Sequence, residues 1–140
     1  MKGWGIGHAL VALAGVAIVG AVIAALMAMG SPAAQREARL DERRIDDLRR
    51  IARGIDQHVR QHEALPPDLA TLAGQPGTRL SLADPATARP YRYSPEAGLR
   101  YRLCAVFATD SAQAAERWTD SEWAHGRGEH CFARKAEKPR

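Results

Sequence analysis

The chain carries 140 residues, a formal net charge of +4 and a pI near 9.5, a balance that nominates nucleic acid or anionic lipid as a partner. The charge pattern excludes nucleic acid: the arginines of residues 36–60 alternate with Glu37, Asp41, Glu42, Asp46, Asp47 and Asp56, and no basic run is interleaved with aromatics. Such alternation reads as a solvated helix laced with i,i+3 and i,i+4 pairs. Only the tail, residues 134–140, is locally basic, and it reads as a disordered terminus, with contact to lipid headgroups a minor alternative.

Ala9 to Gly30 are 22 consecutive positions without a charge, an amide or a hydroxyl. At about 1.5 Å per helical residue the run covers roughly 33 Å, against a hydrocarbon core of about 30 Å, so residues 1–31 are expected to be a transmembrane anchor. A cleaved secretory signal is the competing reading, since Lys2 supplies a basic flank and Ala28-Met29-Gly30 ends in small residues. Its apolar segment is usually about 7 to 15 residues, and this one is longer. A prepilin-type signal needs a Gly or Ala before a Phe or Met and a glutamate soon after it at the start of the apolar run, and none is present there.

Two signals disagree on orientation. Arg36, Arg39, Arg43, Arg44, Arg49 and Arg50 follow the anchor while only Lys2 and the amino terminus precede it, which by the positive-inside rule puts the larger part in the cytoplasm. Cys104 and Cys131, the two cysteines of the chain, suit a disulfide in an oxidising compartment, which puts it outside. The cysteines carry more weight: the expectation is a single-pass inner-membrane protein whose C-terminal domain is periplasmic. Two buried free thiols in a cytoplasmic domain is the alternative.

Ser31-Pro32 is a cap and first-turn pair, and a helix is expected to Glu63 as the stalk and packing helix of residues 32–63. Leu40, Ile45, Leu48, Ile51, Ala52, Ile55 and Val59 define one apolar stripe from Ile45 onward, while the part before Ile45 is almost wholly polar. Gly54 costs about 1 kcal/mol against Ala in this helix and marks close packing of a neighbour. Leu65-Pro66-Pro67 ends the helix, and Asp68 to Ala73 reads as a short helix with Leu69 and Leu72 inward.

From Tyr91 the period becomes two. Tyr91 and Tyr93 alternate with Arg92, Ser94 to Gly98 is a turn, and Leu99, Tyr101, Leu103, Ala105 and Phe107 share one face against Arg100, Arg102, Cys104 and Val106. Residues 108–128 read as a long loop bearing Trp118 and Trp123, and Glu129 to Ala133 as a closing strand stapled by the cysteines. The whole is an α+β architecture: a transmembrane helix continuing into a long amphipathic helix packed on a small antiparallel sheet, with the head over residues 64–133.

Arg44, Asp47, Leu48, Ile51 and Ile55 on the helix, Leu65-Pro66 with Leu69 and Leu72, and Asp84-Pro85, Pro90-Tyr91 and Tyr93 before the sheet give an order of parts that resembles the type IV pilin-like proteins, in particular the major pseudopilins of type II secretion systems. The resemblance covers most of the chain and implies a pilin-like globular architecture for the head. The processing motif and its glutamate are absent, Glu63 and Ala88 stand where glycine is frequent in the family, and Asp110, Asp120 and Glu122 are too scattered for the calcium loop common there.

The remaining chemistry is thin. His58 and His62 have an i,i+4 spacing that zinc uses, but lack a metalloprotease glutamate and read as a solvated pair. His125, His130, Cys104 and Cys131 would make a mixed zinc site only with reduced thiols, and a Cys-His nucleophile pair lacks a third orienting group. Trp118 and Trp123 are the expected partner-binding pair, against the plainer reading that they cover the open face of the sheet. No catalytic residue, metal site or cofactor is expected. The expected role is a non-enzymatic, membrane-anchored structural or interaction protein whose partners are envelope or secretion-assembly components. A tethered ligand-binding module and a cytoplasmic zinc-binding domain are the alternatives.

Overall fold

The computed structural model of the protein describes residues 5–28, 31–75, 79–112 and 121–137. Helix α1 spans Ile6–Ala28, and its apolar side chains stand exposed on every side, Leu10 at 60%, Val16 at 71% and Leu26 at 61%. Its stretch Ile6–Met27 is long and apolar enough to cross a membrane. Residues 29 and 30, where a continuous passage from the anchor into the next helix was expected, lie outside the described residues. The chain divides into two compact units, residues 1–36 and 37–140.

Helix α2 spans Pro32–His62. Ser31 caps it, its Oγ accepting from the N–H of Ala34 at 3.2 Å, and Pro32 occupies the first turn, where a missing N–H costs nothing. The expected stripe of Ile45, Leu48, Ile51, Ala52, Ile55 and Val59 is buried, and the first turns of α2 are exposed. The helix stops at Glu63, whose φ of 56° turns the chain into the left-handed region while its N–H still donates to the Val59 carbonyl at 2.8 Å.

Past Pro66 and Pro67, Asp68 caps the five-residue α3, Leu69–Ala73, by accepting from the N–H of Thr71 at 2.7 Å. Leu69 and Leu72 turn inward as expected. A Cβ at Gly54 would stand 3.1 Å from Leu72 Cδ2 and 3.5 Å from Leu80 Cδ1, so the glycine allows α3 to approach α2 closely. Leu80 and Leu82 pack on the same core, and a bridge from Ala83 to Pro90 folds the segment before the sheet into a tight loop.

The sheet has three antiparallel strands, β1 (Arg92–Pro95), β2 (Arg100–Phe107) and β3 (Gly128–Lys135), with β2 in the centre. Tyr101, Leu103, Ala105 and Phe107 of β2 and Phe132 of β3 face the core with the α2 stripe, fulfilling the period-two reading. The turn between β1 and β2 is tighter than expected. It closes with the Glu96 N–H on the Arg100 carbonyl at 2.7 Å, and Gly98 and Leu99 both have positive φ.

Strand β3 corrects the expected boundaries. Pairing continues to Arg100 opposite Lys135, because β2 offers partners back to its first residue. Ala136 is then buried, with its N–H on the Leu99 carbonyl at 2.9 Å, and the Glu137 N–H donates to Asp56 at 3.3 Å. Residues 134–137, expected in a disordered tail, are therefore part of the head. Of the expected long loop, residues 113–120 lie outside the described residues, and its two ends are tied by Ser111 and Ala112 donating to the His125 carbonyl.

Candidate functional site

Cys104 and Cys131 face each other across β2 and β3 with Cα atoms 4.0 Å apart and sulfurs at disulfide distance. The backbone explains why this position takes a bridge. Arg100 accepts from Glu96 on the β1 side, so even-numbered residues of β2 turn their N–H and C=O groups toward β1. Between β2 and β3, Cys104 is then at a non-hydrogen-bonded position, where facing residues come closest. The bridge lies on the sheet face opposite the core, with Cys104 buried and Cys131 exposed.

Beside it is the buried polar centre of the head. Arg44, 6% exposed, donates from Nη1 to Asp41 at 2.6 Å and from Nε to Asp84 at 2.5 Å. Asp41, 2% exposed, also accepts from the Ala108 N–H at 3.1 Å, the Thr109 N–H at 2.7 Å and the Thr109 hydroxyl at 2.6 Å. Asp84 also accepts from the N–H groups of Ala86 and Thr87, each at 2.8 Å. One guanidinium thus ties α2 to the end of β2, through Asp41, and to the loop before β1, and each of its three nitrogens has a carboxylate partner, as a buried ion requires.

The electrostatics follow from this bonding. Burial pushes the Asp84 carboxyl up, but the Arg44 guanidinium and the two N–H donors more than offset it and hold the group at about 2. Asp41 is likewise held below its ordinary value, its hydrogen bonds from Thr109, Ala108 and Arg44 outweighing burial. The charged residues of 36–60 are not all solvated as expected: Asp41 and Arg44 are buried, since they lie four and one residues before Ile45 and so continue the apolar stripe inward.

Two tyrosines extend the network. Tyr91 donates its hydroxyl to Asp47 at 3.0 Å, and burial followed by that bond raises its pKa. Tyr93 donates to the Pro66 carbonyl at 3.0 Å, and burial pushes it up to about 12. Asp84, Tyr91 and Tyr93 on one side and Arg44, Asp47 and Pro66 on the other, singled out as separate stretches of sequence, are therefore bonded partners in space.

A cleft of about 270 Å³ opens next to this network, lined by Arg44, Asp84, Tyr91, Arg92, Cys104 and Val106 among others. It exists because β1 ends at Arg92: Pro90, two residues back, has no N–H to continue the ladder opposite Val106. Val106 is 55% exposed at its rim, and Arg92 is paired with Glu129 at 2.8 Å across the strands. The cleft offers a mainly apolar lining, with the ion-paired Arg92 at its edge, and a short length of unpaired strand to a small ligand or an extended peptide.

The other sequence-selected residues are dispersed. Trp123 is 7% exposed, packs on Phe132 with ring centroids 4.9 Å apart and has the Arg134 guanidinium 4.6 Å above it. Its ring belongs to the core rather than to an exposed patch, the apolar face of Phe132 being what it covers; Trp118 lies outside the described residues. His125 stacks on Phe107 at 3.8 Å and His130 contacts Phe132 at 4.8 Å, while Cys131, the next residue of β3, points to the opposite face. The four candidate mixed-site ligands are thus not brought together. Among the described residues no group of three or more His, Cys, Asp or Glu is placed to hold a metal.

His58 also departs from expectation. It is buried, its Nδ1 is 2.8 Å from Gln75 Nε2, and its ring lies 4.3 Å from that of His62. Burial, then the charge of His62, lowers its pKa.

No protein-family model, no curated protein and no solved structure matches the chain.

Proposed function

We propose that the protein is a non-enzymatic, membrane-anchored structural or interaction protein that presents a pseudopilin-like head to the periplasm, in association with a secretion or pilus assembly of the inner membrane. The observation that carries this reading is the convergence of the residues on which the resemblance rests: Arg44 with Asp84, Asp47 with Tyr91, and Pro66 with Tyr93. The two positions where the family favours glycine, Glu63 and Ala88, also both have a φ of 56°. The cysteine pair at disulfide distance supports an oxidising compartment.

Maleimide labelling of membranes and intact cells, with and without reductant and permeabilisation, tests topology. On this reading neither cysteine reacts until a reductant is added, and permeabilisation is not required. Labelling of both thiols without reductant and only after permeabilisation overturns it and puts the head in the cytoplasm. Site-directed photo-crosslinking from exposed α2 positions such as Arg39 and Glu42 then tests the partner, with adducts to envelope assembly proteins expected.

The cleft favours a second reading, a tethered module that binds a small ligand independently of any filament. An absence of crosslinks, combined with a ligand-induced rise in Tm that is lost in Arg92→Ala, selects it.

A further inference from the structure

We propose that His58 and His62 form a two-histidine chelate for a divalent transition-metal ion of the borderline class, Cu²⁺, Ni²⁺ or Zn²⁺, with Gln75 as its positioning residue. Residues four apart on a helix lie on one face a single turn apart, a spacing that lets two imidazoles bind one ion. Here the rings are brought together, with centroids 4.3 Å apart and planes inclined by 39°. The two residues divide the work. His58 is 8% exposed and fixed from within the fold, while His62 is exposed on the last turn of α2, leaving the remaining coordination positions open to water.

The bond to Gln75 is what distinguishes this pair from two solvated rings. Ligating histidines characteristically use their second nitrogen in a hydrogen bond that fixes tautomer and orientation. Gln75, just past α3, holds His58 Nδ1 at 2.8 Å. With the Gln75 amide donating, the ring proton is on Nε2; a half-turn of that amide brings Oε1 to Nδ1, which then carries the proton and leaves the Nε2 lone pair for a metal. The switch moves one proton between the two nitrogens of a neutral ring and releases none. Imidazole donors without carboxylates select borderline ions over Ca²⁺ or Mg²⁺, and two protein ligands make the site labile rather than structural.

Titration of the full-length protein in detergent micelles with Cu²⁺, followed by calorimetry and electron paramagnetic resonance, tests the site. One equivalent bound with two nitrogen couplings is expected, with Ni²⁺ and Zn²⁺ weaker in the order of intrinsic affinity. His62→Ala, at an exposed position, should weaken binding at least tenfold and leave one nitrogen coupling. Gln75→Ala should weaken it about 10- to 100-fold, and Gln75→Glu should restore it. His130→Ala, on another element, should change nothing. Absence of binding below millimolar Cu²⁺, or binding unchanged in His62→Ala, overturns the proposal.

Discussion

Helix α1 and the head solve the burial of apolar surface in opposite ways. In α1 nothing is sorted: Ile, Val, Leu and Ala cover every side and those of residues 6–27 are all exposed, so the helix has no inner face and suits a uniformly apolar surrounding. In the head everything is sorted: α2 places Leu48, Ile51, Ile55 and Val59 on one stripe at 0% exposure and leaves charges on the other side. A charge in α1 would have no place to go. In the head a charge can be buried, provided it is paired, as Arg44 is.

The sharpest break in this contrast is Arg44→Ala. It leaves Asp41 and Asp84 buried without their counter-ion, a loss of about 3–5 kcal/mol, and a marginal head should unfold, while membrane retention through α1 is untouched. Urea unfolding followed by near-ultraviolet circular dichroism reads the first effect, and carbonate extraction of membranes the second. Replacing Asp41, Arg44 and Asp84 together by apolar residues of similar volume should cost much less, since no unpaired ion remains. If Arg44→Ala were as mild as the triple replacement, the network would not hold the head together.

The reciprocal change is Val19→Arg. A charge at the middle of α1 costs about 3 kcal/mol of insertion, so the protein should shift to the soluble fraction, while the unfolding curve of the head stays where it was. A variant still fully retained would show that α1 is not what holds the protein at the membrane.

Acid sharpens the comparison by titrating only the head. Asp84 is held at about 2 in the folded state against about 3.9 unfolded, so its contribution, about 2 kcal/mol, is complete above pH 4 and is lost as pH falls toward 2. Asp41, also lowered, acts in the same sense, whereas Asp56, raised mainly by burial, acts in the opposite one. The expected measurement is a falling urea midpoint between pH 4 and 2 that flattens in Asp84→Asn, with the helicity of α1 unchanged.

The same contrast sets how much was legible in the sequence. Composition alone marks α1, and periodicity marks the α2 stripe and the core face of β2, because each is a one-dimensional pattern with a fixed period. Asp41, Arg44 and His58 are buried although their residue types suit a solvated face, and Asp41 and Arg44 continue the stripe by position. Spacing was the usable signal there. Nothing local announced that Asp84 would be the partner of Arg44, 40 residues away, or that Ala136 would be buried, since both depend on tertiary closure. Trp123 was ambiguous for a related reason: an indole serves a core and a docking patch equally well, and only its place over Phe132 decides.

The smallest effect tests the backbone that the pilin-like reading needs. Ala88 holds a φ of 56° while its N–H donates to the Asp84 carbonyl at 2.9 Å, and Glu63 holds the same φ at the end of α2. A left-handed conformation costs an L-residue about 1–2 kcal/mol, and glycine removes that cost while adding about 0.5–1 kcal/mol of unfolded-state entropy. Ala88→Gly and Glu63→Gly should each therefore raise stability by about 0.5–1 kcal/mol. Ala86→Gly, two residues away in the same loop and not at positive φ, removes no strain and should lower it by a similar amount. Opposite signs at Ala86 and Ala88 would establish that the turn before the sheet demands a glycine-like backbone where this sequence supplies alanine; equal losses at both would remove the left-handed turn and, with it, a main support for the pseudopilin-like head.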